Sequence, residues 1–75
     1  MFLDEFQSEL SRVMWDLDNQ RRSEERALEI ISSLIDNFAE RFTTRSDVVN
    51  YAAGRIEKMH YSQAQSIAEQ VRKWV

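Results

Sequence analysis

Apolar residues recur along the first segment at Leu3, Phe6, Leu10, Val13 and Leu17, in alternating steps of three and four, with Phe2 and Met14 widening the stripe. That period turns one side of a helix toward a core and leaves the other polar, so it predicts an amphipathic helix of about four turns. Asp4, Glu5 and Glu9 lie toward its amino end, where the helix dipole favours carboxylates. The polar run Asp18-Asn19-Gln20-Arg21-Arg22 reads as a short connection into which the helix frays.

Ser23 suits a helix N-cap, and Glu24 and Glu25 follow it where the first turn favours acids. A second helix should run from there to about Phe42. Its apolar positions, from Ala27 and Leu28 through Ile31, Leu34, Ile35 and Phe38 to Phe42, cover nearly half its circumference, which predicts contact with more than one neighbour and a central place in the fold. Thr44 precedes Asp47 at the spacing of a capping box, after a connection that begins at Thr43, and so restarts a helix. That third helix buries Val48, Val49, Ala52, Ala53, Ile56 and Met59, and Gly54 inside it is expected to admit the close approach of another helix. A second capping-box spacing, Ser62 to Gln65, opens a fourth helix with Ala64, Ile67, Ala68, Val71, Trp74 and Val75 on one face.

No strand pattern, repeat or linker competes with this series. The expected fold is all-α: one helical domain over residues 1–75, a small antiparallel bundle of about four helices in which a long helical hairpin is crossed by two shorter helices. The expected core holds Leu10, Val13, Leu17, Ile31, Leu34, Ile35, Phe38, Val49, Ile56, Ile67, Ala68 and Val71.

Composition narrows the functional classes. With 43% hydrophobic residues and a formal charge of −3 over 75 residues, the chain has the balance of a folded domain and not of a disordered one. So short a domain buries a modest share of its surface, which keeps a homo-oligomer among the expectations. The lack of cysteine excludes a disulfide, a thiolate nucleophile and a Cys-held metal or cluster. Met1-Phe2-Leu3-Asp4-Glu5 has neither the basic start nor the apolar run of a signal peptide, and no stretch reaches the ~20 apolar residues of a membrane span. A cytoplasmic location without a membrane partner is the resulting expectation.

Catalytic chemistry finds few footholds. Nucleophilic mechanisms need an activated residue beside a base, yet His60 is the one histidine and the serines fall at caps or helix surfaces. No glycine-rich loop is present to hold phosphates. Glu57 and His60 have the Glu-x-x-His spacing of di-iron bundles, which need two such motifs and further glutamates. Asp16 and Asp18 resemble the start of a calcium loop that lacks its glycine and closing glutamate. The expectation is a protein that is not an enzyme, with no cofactor and no metal.

Candidate contact residues come from what the core pattern leaves over. Trp15 projects away from the Leu3, Leu10 and Leu17 seam, so a simple hairpin leaves its ring in water as an interface anchor, unless the third or fourth helix covers it. Tyr51, Arg55 and Lys58 line the side of the third helix beside its apolar stripe, and Trp74 with Val75 offers a further apolar surface. These residues suggest a module that presents a helical face to a protein partner, such as an adaptor, inhibitor or regulatory subunit. Charge supports a second reading. Residues 1–40 hold ten acids against four bases and residues 41–75 three against six, so the basic second half, as a dimer, is a candidate nucleic-acid surface. The sequence pI near 5.0 weighs against it.

Overall fold

Four helices form in chain order: α1 (Leu3–Asp18), α2 (Glu24–Phe42), α3 (Arg45–Glu57) and α4 (Ala64–Arg72). They are seen in a computed structural model that describes residues 2–42 and 44–75 without the side chain of Phe42. The apolar role expected of Phe42 and the place of Thr43 in the connection therefore lie outside the described residues. No strand occurs among the described residues.

In α1, Phe6, Leu10, Val13, Met14 and Leu17 are buried as the periodicity requires. The seam starts one turn later than the pattern suggests, because Phe2 and Leu3 remain 73% and 46% exposed. The helix does not fray into its connection. The N–H of Gln20 donates to the Leu17 carbonyl at 3.1 Å and that of Arg21 to the Asp16 carbonyl at 2.8 Å. This is the paired closure of a Schellman motif, and it sets Gln20 in the left-handed region at φ 59°. The same turn lets Arg22 reach the Asp16 carboxylate at 2.6 Å, a half-buried ion pair.

Ser23 caps α2 as expected: its hydroxyl oxygen accepts from the Arg26 N–H at 3.1 Å. Ala27, Ile31, Leu34 and Ile35 fill the core side of α2, while Leu28, Ile30, Phe38 and Ala39 are only partly buried against it. Phe38 thus sits at the rim of the core. Its ring stacks on the fully buried Phe6, with centroids 4.7 Å apart. Burying a ring such as Phe6 contributes about 1.5–3 kcal/mol, and the stacked pair adds about 0.5–1.5 kcal/mol.

Both capping-box readings give way to other bonds. The Thr44 hydroxyl donates to the Asp47 carboxylate at 2.8 Å and makes no cap bond to the backbone of α3. Ser62 lies two residues before α4, where both its hydroxyl and its N–H donate to Asp18 Oδ1, at 2.9 and 3.3 Å. The spacing predicted a local cap. The side chain instead ties the α3–α4 turn to the end of α1.

These contacts fix the directions of the helices. The Phe6–Phe38 stack joins the start of α1 to the end of α2, so the first pair is antiparallel. Gln7 donates to the Tyr51 hydroxyl and Ser62 to Asp18, both across 44 residues, so α1 and α3 run side by side in the same direction. The start of α4 is tied to the end of α3 through Gln65, whose side chain donates to the Glu57 carbonyl at 3.3 Å, and the residues after α4 to the start of α3 through Arg45, which donates to the Trp74 carbonyl at 3.1 Å. The fourth helix therefore runs back antiparallel to α3, and Arg72 reaches Glu57 at 2.6 Å. The centre is shared: α2 and α3 each touch all three other helices. Five residues of α3, namely Val48, Val49, Ala52, Ala53 and Ile56, are no more than 1% exposed.

Gly54 does not serve the close approach expected of it. A methyl group placed on it would meet no atom within 4 Å. Tight packing between α3 and α4 falls where alanines are buried on both helices, Ala52 and Ala53 on one and Ala64 and Ala68 on the other. The radius of gyration, 11.2 Å, matches the value of about 11 Å for a compact chain of this length.

Candidate protein-interaction face

Trp15 stays in water. Its position on α1, beyond the Phe6, Leu10, Val13 and Leu17 face, leaves it 43% exposed, and neither α3 nor α4 covers it. The Arg21 guanidinium lies over the ring, 5.1 Å from its centroid, where the negative π face attracts a cation. Arg21 arrives there because the Schellman turn reverses the chain immediately after α1.

The shared direction of α1 and α3 decides what stands opposite Trp15. The offset of 44 residues that matches Gln7 to Tyr51 and Asp18 to Ser62 places Ser11 level with Arg55 and Met14 level with Lys58. Arg55 and Lys58 are exposed on the flank of α3 that continues from Tyr51. Helical geometry puts them one and two turns beyond Tyr51, on the flank of α3 nearest α1. Trp15, Arg55 and Lys58 are therefore exposed on neighbouring sides of α1 and α3.

Tyr51 and Trp74 are placed differently. Tyr51 is half-buried, with its ring 6.1 Å from that of Phe6 and its hydroxyl accepting from Gln7, so it forms the inner floor of the face. Trp74 follows α4, half-buried against the core, with its carbonyl held by Arg45 at the start of α3. Trp15 lies toward the other end of the α1–α3 pair, so the two tryptophans do not form one surface.

Arg12 and Arg21 are additions that the sequence reading did not supply. Arg12 is exposed three residues before Trp15, which makes the two neighbours on the helix surface. The i, i+3 spacing was sufficient to find Arg12. Nothing local points to Arg21, which depends on the turn.

The ion pairs given by the structure engage Arg22, Arg26, Arg45 and Arg72. Among the described residues, Arg12, Arg55 and Lys58 have no carboxylate partner, and Arg21 meets only the indole. Of the exposed cations without a carboxylate partner among the described residues, Arg21 lies over Trp15, Arg12 stands one turn from it and Arg55 and Lys58 lie on the neighbouring flank of α3, whereas Lys73 lies past the end of α4 beside Trp74.

The residues weighed for metal chemistry are engaged elsewhere. Glu57 pairs with Arg72, His60 is exposed beyond the end of α3, Asp16 pairs with Arg22, and Asp18 accepts from Ser62. Among the described residues, no group of three His, Cys, Asp or Glu side chains is arranged to hold a metal ion, and no helix is long and apolar enough to cross a membrane. Compared with protein-family models, characterised proteins and solved structures, the chain matches none.

Proposed function

We propose that the chain is a non-enzymatic interaction module that presents the α1–α3 side to a protein partner. The observation that carries this reading is the exposed indole of Trp15, under the guanidinium of Arg21 from the turn after α1, with Arg12 one turn away on α1 and Arg55 and Lys58 exposed on the neighbouring flank of α3. Tryptophan and arginine dominate the energetics of protein interfaces because a large flat ring and a planar guanidinium gain most when a partner removes them from water. Here the indole is already stacked under Arg21, which lowers the side-chain ordering that docking requires at that pair. Tyr51 fixes the floor of the face through its bond with Gln7.

The test is affinity capture from nuclease-treated lysate of the native source, with wild type and Trp15→Ala immobilised side by side. The expected result is at least one protein that wild type retains and Trp15→Ala loses, with affinity reduced about 30-fold, as for the truncation of an interface anchor worth about 2 kcal/mol. Trp15→Ala should keep the wild-type melting temperature, because the ring is outside the core. An identical set of proteins on both resins would overturn the reading.

A further inference from the structure

We infer that the partner of this face is an acidic peptide segment carrying an apolar anchor, a conclusion that rests on the interaction reading above and adds the chemistry of what binds. The chain as a whole is acidic, with 13 carboxylate residues against 10 basic ones. Its carboxylates nevertheless leave the cations around Trp15 alone. Arg22, Arg26, Arg45 and Arg72 are taken by Asp16, Glu29, Asp36 and Glu57, whereas Arg12, Arg55 and Lys58 form no ion pair with an acid of this chain among the described residues. Asp16 and Asp18, the acids adjacent to Trp15 in sequence, are held by Arg22 and Ser62. Asp18 keeps its charge, since Ser62 is a neutral donor, but Arg12, Arg21, Arg55 and Lys58 outnumber it on the sides of α1 and α3 that flank an exposed aromatic ring, on a molecule of opposite overall sign. Such an excess selects partners by complementary charge and discriminates against like-charged ones.

The scale of the patch suits a peptide better than a nucleic acid. Four cations and one indole match the carboxylates and single apolar anchor of a short helical or extended segment. A nucleic acid carries its charge along its full length and calls for a longer basic track than four cations on a protein whose formal charge is −3. The floor also favours a chain of modest width. Ser8 and Ser11 on α1 and Gly54 on α3 are small, and the space above Gly54 is open to 4 Å.

The experiment is selection from a displayed library of random 16-residue peptides on the folded wild-type chain, with counter-selection on Trp15→Ala, followed by sequencing. The inference predicts Trp15-dependent peptides rich in Asp and Glu around one large apolar residue. Binding of those peptides should fall about tenfold in Arg55→Glu/Lys58→Glu, a change that leaves the core untouched, and should weaken as salt rises. Trp15-dependent peptides that are neutral or basic would overturn the acidic partner while leaving the interaction face in place. Enrichment with no dependence on Trp15 would overturn both. A labelled single-stranded oligonucleotide provides the remaining arm: binding that disappears in Arg55→Glu/Lys58→Glu would overturn the peptide in favour of a nucleic acid.

Discussion

Gln20 occupies a left-handed conformation, φ 59°, at the position of a Schellman closure where glycine is the usual residue. A side chain with a Cβ is disfavoured there by about 1–2 kcal/mol, while glycine loses more chain entropy on folding. The balance predicts that Gln20→Gly stabilises the domain by about 0.5–1 kcal/mol and raises its melting temperature by about 4 °C. Differential scanning calorimetry would detect this, and a lowered melting temperature would show that the turn is held by contacts of the Gln20 side chain. The residue also marks a limit of legibility. Fraying was the natural reading of a polar run with no glycine in it, and the ordered turn was hidden because glutamine does not signal φ above zero. Arg21 was hidden with it, since only that turn brings the guanidinium over Trp15. Trp15 itself was legible as a residue off the apolar seam. Whether another helix covered it was not, because that depends on how α3 lies against α1.

At the scale of elements, helix positions followed from the apolar period and the Ser23 cap, and all the expected core residues except Phe38 are buried. Phe38 moved to the rim because Phe6, from the facing helix, takes the central volume. The two capping-box spacings were real patterns with other partners. Ser62 and Asp18 meet only after three helices have been placed, and a motif read within four residues cannot anticipate an acceptor 44 residues away. Gly54 was misread for a similar reason: a small residue between alanines can mark a close contact or an open surface, and packing alone decides which. With open space above it and a helical backbone without positive φ, Gly54→Ala should gain helix propensity without a clash. The expected effect is about 0.5–1 kcal/mol of added stability in urea unfolding, with an unchanged m-value. Loss of stability would mean that α3 is more tightly enclosed than its geometry shows.

Across the whole molecule, α1 and α3 run in the same direction, and this relation assembles the candidate face from residues that are distant in sequence. Charge arithmetic by halves did not find it. That arithmetic assigned the basic character to residues 41–75, whereas the patch draws Arg12 and Arg21 from the acidic half and Arg55 and Lys58 from the basic one. Trp74 illustrates the converse case. As an aromatic residue near the end of the chain it was an equal candidate, but the return of α4 along α3 places it half-buried beside the start of α3 and remote from Trp15. The two tryptophans give separate indole signals in nitrogen-resolved NMR, and these report on the two sides independently. The most direct measurement is therefore titration of the labelled chain with the protein captured in a Trp15-dependent manner. The account predicts that the Trp15 indole and the amides of Arg12, Arg55 and Lys58 shift or broaden while the Trp74 indole stays in place. Perturbation centred on Trp74 and α4, with the Trp15 indole unmoved, would contradict it.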